Sequence, residues 1–209
     1  MKYLKIAEHY KNCFLEHGDT HLGVDWPKYE DTLTRHKIMY DLLKSKEINH
    51  VTNSTLLDFG CGLGHFLKWG TDNNSFFPKY SGLDINFEFI EKCKEKFPNV
   101  DFYNKDILID DQIPNFDYII CNGTFTEKLS LSNEEMMIFF KSVILKLWNK
   151  CNIGISFNLM SKQVDWERDD LFHVSLDELA WFLKNNLSRN FIFRNDYKLY
   201  EFTTYVYKS

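Results

Sequence analysis

Four residues in the stretch LLDFGCGLGHFLKWG have types and spacing that do chemistry: Asp58, Gly60, Gly62 and Gly64. An apolar run ends in an acid, three glycines follow at alternate positions, and an apolar helical stretch comes next. A strand, a glycine turn and a helix form a nucleotide-cofactor signal, because residues without a Cβ let a ligand approach the backbone closely. A dinucleotide turn reads G-x-G-x-x-G/A, with a small last residue where helix and strand pack. Counting from Gly60, that place is taken by His65. The pattern here is D-x-G-x-G-x-G, which departs from the dinucleotide turn at that place. Two further acids stand at the ends of later apolar runs, Asp84 in LDIN and Asp106 in NKDIL.

The elements that must position these residues follow from hydrophobic periodicity. Apolar runs suited to buried strands cover 55–59, 80–83, 100–103, 116–121 and 153–157. Helical patterns lie between them at 87–96, 134–149 and 176–187, and the last two start with capping boxes, Ser132 with Glu135 and Ser175 with Glu178. The chain ends in two strand-like runs, 191–195 and 199–207, with too few residues between them for a helix, so they form an antiparallel hairpin. The alternation predicts an α/β fold, a Rossmann-like seven-stranded sheet with helices on both faces and its last strand antiparallel. Residues 1–50 precede the first strand and read as two helices, 3–15 and 29–43, joined by the loop HGDTHLGVDWP. This segment is expected to be a lid and substrate-binding segment over the carboxyl ends of the strands, and 51–209 the core of a single domain.

Composition narrows the class. The 209 residues suffice for one well-buried α/β domain. The net charge of −5 disfavours nucleic acid and anionic membrane as partners. Five cysteines, far apart and with no C-x-x-C pair, read as reduced thiols. The N-terminal stretch MKYLKIAEHYKNCF lacks a signal-peptide core and no run approaches a membrane span, so a cytoplasmic monomer or homodimer is expected.

Taken together, the D-x-G-x-G-x-G turn, LDIN, NKDIL, FDYIICNGTF and the terminal hairpin resemble the class I S-adenosylmethionine (SAM) dependent methyltransferases. The resemblance implies SAM as cofactor and S-adenosylhomocysteine as product. It implies that Asp84 holds the ribose hydroxyls with Ile85 beside it, that Asp106 meets the adenine amino group with Ile107 beside the ring, and that Asn122 and Gly123 face the methyl group. Asp58 then offsets the amino group of the methionine end. Over most of its length the chain also resembles bacterial class I methyltransferases of polysaccharide-associated role, through HGDTHLGVDW, GISFNLMS with Val164-Asp165-Trp166, DLFHVS and RNDYKLYEFTTYVYK. His173 departs from the tyrosine usual in that group.

The acceptor is less legible. After the fourth strand stands Cys121-Asn122-Gly123-Thr124-Phe125, not the Asn/Asp-Pro-Pro-aromatic turn of nitrogen methylases. A small-molecule acceptor is expected: a polar or anionic metabolite such as a sugar, phosphoryl or nucleotide-linked compound, methylated on oxygen, without a metal. A hydroxyl acceptor needs a base, for which His21 is the first candidate, then His17 and His173; an anionic oxygen needs none. Asp25 and Trp26 in the N-terminal loop, Asn158, Asp165 and Trp166 after the fifth strand, and Tyr200 in the hairpin are candidates to hold the acceptor. Arg35 is read as a clamp on the methionine carboxylate of SAM or on an anionic acceptor. His65 and Lys68 read as solvated. A catalytically silent SAM-binding scaffold and an NAD-dependent oxidoreductase are the alternatives.

Overall fold

Two apolar runs, β1 (Thr55–Phe59) and β4 (Phe116–Cys121), form the centre of the sheet, nearly buried on both faces as central parallel strands must be. The computed structural model describes residues 1–45, 53–73, 75 and 77–208, so the division drawn at residue 50 lies outside the described residues. Around the central pair come β2 (Lys79–Asp84), β3 (Asp101–Asn104) and β5 (Cys151–Ser161), all parallel. The chain closes with the antiparallel hairpin β7 (Phe191–Arg194) and β8 (Glu201–Tyr207). Strand β8 pairs antiparallel to β5 as well, giving the order β3-β2-β1-β4-β5-β8-β7. These are the seven expected strands. An eighth, the two-residue β6 (His173–Val174), pairs with the end of β5 and is too short to show in the hydropathy pattern.

Alternation along the strands divides the core into two layers. Leu57, Ile119, Cys121 and Phe157 face α5 (Asn133–Lys150) and α6 (Leu176–Asn186), packing with Phe140, Val143, Leu147, Leu179 and Phe182. Leu56, Tyr118 and Ile120 face the other side, with Ile38 and Met39 of α2 (Tyr29–Tyr40), Phe66 and Leu67 of α3 (His65–Asp72), and Ile90 and Cys93 of α4 (Phe87–Lys96). The first helix, α1 (Leu4–His17), sends Ile6 into the first layer and packs on the 3-10 turn at Leu22–Val24.

Two local expectations change. The capping box at Ser132 and Glu135 forms with both hydrogen bonds, but Ser175 caps α6 without a side-chain bond. Strand β5 runs well past residue 157, because Asn158 and Ser161 are buried and find partners at the sheet's end. The five cysteines carry free thiols. Among the described residues, no helix is long and apolar enough to cross a membrane.

Candidate active site

Strands β3, β2, β1 and β4 are consecutive in the sheet, and neighbouring strands lie about 4.8 Å apart. Their carboxyl ends therefore set Asp106, Asp84, the turn from Gly60 to Gly64, and Asn122 along a row roughly 15 Å long. Asp106, Asp84, the turn from Gly60 to Leu63 and Asn122 line one elongated cleft of about 1070 Å³ including its open mouth, roofed by Tyr3, Ile6, Ala7, Tyr10, Val24 and Trp26 from the N-terminal segment. The size suits a nucleoside bearing a tail.

Each acid in the row has a different setting. Asp106 accepts from the Tyr3 hydroxyl at 2.7 Å and from the Leu108 amide at 3.0 Å, with the buried Ile107 between. Tyr3 in turn stacks on Phe139, with centroids 4.6 Å apart. Asp84 is buried and accepts the Gly62 amide at 3.0 Å and the Asn86 amide at 2.8 Å, one on each oxygen. Burial pushes its carboxyl up to about 6 against the pull of those amides. Asp58, also buried, accepts from the Tyr80 hydroxyl at 2.7 Å. Burial pushes it up to about 7; the Tyr80 bond lowers it and the charge of Asp84 raises it. A cation in the cleft would restore both acids to the ionised form.

The turn itself is closed. Gly60 holds φ +72°, and a Cβ there would meet Thr124 Oγ1 at 2.5 Å. The Gly60 and Cys61 amides donate to Leu83 O at 2.8 and 3.1 Å, and Gly64 donates to Cys61 O at 2.9 Å. Beyond the turn, Asn122 Nδ2 lies 3.1 Å from Nδ1 of His36, and its buried Oδ1 has no partner among the described residues. Successive carboxylates, a turn with glycine at every second position and an orphaned amide oxygen suit an adenosyl group with a cationic tail. Ile85 and Gly123 line the same cleft.

The acceptor candidates fall into separate places. Trp26 lines the cleft, and its ring lies where a Cβ on Gly123 would come within 2.9 Å. Asp25 is bonded to Nε2 of His9 at 2.7 Å, with Cys13 Sγ 3.7 Å from the same nitrogen. These three could approach a cation, but 2.7 Å is a hydrogen-bond distance. Asn158 is fully buried; its Oδ1 accepts the Gly123 amide at 2.7 Å and its Nδ2 donates to Glu201 at 3.0 Å. Arg35 is not among the residues lining the cleft. Its Nε donates to the other oxygen of Glu201 at 2.9 Å, and its guanidinium lies 5.4 Å from the Trp26 ring centroid. Arg35 as a clamp on the methionine carboxylate does not fit this placement.

Asp165 and Tyr200 line a shallow hollow beyond β5 and β8, where Trp166 packs on Tyr200 at 4.8 Å. His173 has both nitrogens engaged, Nδ1 with Ser161 O at 2.7 Å and Nε2 with the Arg168 amide at 3.4 Å, so no lone pair is left for a base. His17 sits half-exposed near Glu16 and lines none of these cavities. His21 lines a groove beside the cleft, and its Nδ1 is 2.5 Å from Trp26 O. His65 is not solvated: it pairs with Asp19 at 2.8 Å and borders both cleft and groove, while Lys68 pairs with Asp72 on the surface.

Sequence reasoning passed over His36, Glu201 and Glu127. His36 belongs to the buried stripe Thr32, His36, Met39 of α2, a spacing that the helical period makes visible. Glu201 is an acid opening an otherwise uncharged strand. Glu127 follows the turn after β4, and its carboxyl is pushed up to about 7 by burial and by Asp25 and Asp170.

A family model described as a methyltransferase domain matches residues 50–162. The Mycobacterium tuberculosis protein named "Putative methyltransferase Rv1506c" is 27% identical over 165 residues, covering 78% of this chain and 98% of its own length. The magnesium protoporphyrin IX methyltransferase ChlM of Synechocystis PCC 6803, crystallised with SAM, aligns over 100% of this chain and 98% of its own with TM-score 0.68 and 12% identity. CalS10, an amino pentose methyltransferase of Micromonospora echinaspora, aligns over 84% and 92% with TM-score 0.58 and 14% identity. Those two likenesses speak for the fold; the matched domain, over more than half of the chain, speaks for the family. The chain belongs to the methyltransferase-domain family and is a class I SAM-dependent methyltransferase.

Proposed function

We propose that the enzyme methylates an oxygen of a small polar or anionic acceptor, and that Arg35 holds the acceptor's anionic group. The observation that carries this reading is a chain of contacts. Gly123 of the turn after β4 donates to Asn158, Asn158 donates to Glu201, and Arg35 donates to Glu201 through Nε alone. No hydrogen bond engages the two terminal nitrogens of Arg35 among the described residues. Glu201, buried and with both oxygens engaged, is a fixed counter-charge and no base. A guanidinium held by one edge offers its fork to a carboxylate or phosphoryl oxygen.

When bound, SAM supplies an electrophilic methyl group on a sulfonium. The residues then have to align an acceptor oxygen with it and keep water out, and alignment alone contributes several kcal/mol. An anionic oxygen needs no base. Residues 1–50 act in this reading as the lid and substrate-binding segment over a core of 51–209; the cleft-lining side chains of α1 and of Trp26 support it. Sugar and phosphoryl acceptors of polysaccharide modification fall within the proposed class.

A neutral hydroxyl acceptor is the second reading, and His21 favours it. Its Nδ1–H donates to the Trp26 carbonyl, which leaves the Nε2 lone pair to take a proton. The test is S-adenosylhomocysteine release against phosphorylated, carboxylate, sugar and amine acceptors. Turnover confined to anionic acceptors, with a KM raised about ten-fold or more in Arg35→Gln and unchanged cofactor affinity, supports the proposal. Turnover on neutral hydroxyls abolished by His21→Ala favours the second reading. Cofactor binding without turnover on any acceptor would favour a silent scaffold.

A further inference from the structure

The methionine end of SAM is a zwitterion, and the glycine turn leaves it the Leu63 amide alone among its five. The amides of Gly60, Cys61, Gly62 and Gly64 are all donated within the protein, and the Gly123 amide goes to Asn158. Arg35 is not among the residues lining the cleft. Along the row of strand ends, adenine-side and ribose-side acids occupy β3 and β2, so the tail lies toward β1 and β4. There the cleft is lined by His36 and Asn122, 2% and 8% exposed.

Their contact sets what they offer. With the Asn122 amide nitrogen donating to Nδ1 at 3.1 Å, the His36 proton sits on Nε2, and no hydrogen bond engages that nitrogen among the described residues. Asn122 Oδ1 is buried and has no partner among the described residues. The pair thus presents one unused donor and one unused acceptor. Turning the amide by half a revolution exchanges their roles and keeps the set. Burial among Trp26, Phe66 and Trp69, followed by the charges of His65 and Arg35, holds the His36 imidazole down to about 3, so it stays neutral at working pH. A neutral donor beside a neutral acceptor matches a carboxylate beside an ammonium without adding a buried charge.

We propose that His36 and Asn122 form the recognition site for the amino acid end of SAM, the donor for its carboxylate and the acceptor for its ammonium, with Asp58 as the nearby counter-charge. This rests on SAM as the methyl donor, and adds the residues that distinguish SAM from other adenosyl compounds.

The experiment compares two probes by calorimetry, S-adenosylhomocysteine and 5′-methylthioadenosine, which keeps the adenosyl group and lacks the amino acid. His36→Phe keeps the aromatic surroundings and removes both nitrogens; Asn122→Leu keeps the volume and removes the amide. Each variant is expected to lose about ten- to a hundred-fold in affinity for S-adenosylhomocysteine and to keep its affinity for 5′-methylthioadenosine within about two-fold. Retained binding of the second probe also reports a folded cleft. Equal losses for both probes would assign the pair a structural role and overturn the proposal. Unchanged affinity for both would assign the tail to the free amides opening α3 and overturn it equally. A wild type that binds the two probes equally well would overturn it alone, whereas one that binds neither would overturn SAM as the donor.

Discussion

The two halves of the carboxyl edge are built on different plans. From β3 to β1, each acid accepts a backbone amide or a tyrosine hydroxyl: Asp106 and Asp84 bond amides within two residues of themselves, and Asp58 bonds Tyr80 on the neighbouring strand. From β4 to β8, the polar groups are tied across the fold, Gly123 to Asn158, Asn158 to Glu201, and Glu201 to Arg35, which stands 166 positions away in sequence. The first half, the cradle proposed for the cofactor, is held by bonds that form mostly as its strands do, with the Tyr3 hydroxyl tied to Asp106 from the N-terminal segment. The second is a network that exists only once the N-terminal helices and the terminal hairpin have docked. Stability and specificity for the acceptor should therefore be coupled in the second half and separable in the first.

The largest expected effect breaks that network. Glu201→Ala leaves Arg35 facing a buried gap and Asn158 without its acceptor. Removing one partner of a buried pair costs about 3–4 kcal/mol, so urea unfolding should show a loss of that size. Replacing Arg35 and Glu201 together by Met and Leu should recover much of it, because no unpaired charge is then left. If Glu201→Ala and the double variant lose the same stability, the pair is not coupled and the comparison fails.

Asp84→Asn tests the first half. The new amide nitrogen must face one of the two amide donors, Gly62 or Asn86, and the ribose loses a charged acceptor. The expected cost is about 2–3 kcal/mol of S-adenosylhomocysteine binding, roughly a hundred-fold by calorimetry. The effect on the acceptor KM should be small, since Asp84 makes no contact with the network after β4. An unchanged cofactor affinity would remove Asp84 from the cradle.

Gly123 joins the two halves. Its φ of +78° and a would-be Cβ 2.9 Å from the Trp26 ring make Gly123→Ala strained and crowded. A loss of about 2 kcal/mol in stability is expected. Displacing Trp26 also shifts the face that Arg35 rests on, so the acceptor KM should rise by a larger factor than cofactor affinity falls. The reverse order would place Gly123 and Trp26 in the cradle.

What the sequence made legible follows the same division. Strands 55–59 and 116–121 and the helix 87–96 have the predicted limits because local hydropathy determines them. The terminal hairpin was forced by a connection too short for a helix. The glycine turn and the acids at 58 and 84 could be read because their partners lie close along the chain or one strand away, whereas the bond from Tyr3 to Asp106 spans 103 positions. Strand β5 was read short, since Asn158 and Ser161 look like solvent-facing residues until their distant partners are known. Arg35 stands out in the sequence by its charge, whereas His36, on the buried stripe of the same helix, shows only through the helical period; the structure sets His36 against the cleft and Arg35 beside it.

The smallest effect is a pH dependence, and its sign separates the halves again. Asp58 in the unliganded protein is pushed up to about 7, against about 3.9 for an unfolded aspartate. The folded state thus holds the proton more tightly, so the stability contributed by neutral Asp58 is present below about pH 4 and is lost as pH rises toward 7. A cationic ammonium in the cleft favours the ionised carboxylate, so binding releases the proton and affinity rises with pH until Asp58 is ionised in both states. For one group of this kind, S-adenosylhomocysteine affinity should gain about ten-fold between pH 6 and 8, about 1.4 kcal/mol. Asp84, pushed up to about 6, adds a smaller gain at the acid end. Calorimetry in buffers of different ionisation heat should show proton release that falls away above pH 7. In Asp58→Asn the gain should flatten to the part due to Asp84. A profile that stays steep in that variant would assign the proton to another group, and would deny Asp58 its place against the amino acid end of the cofactor.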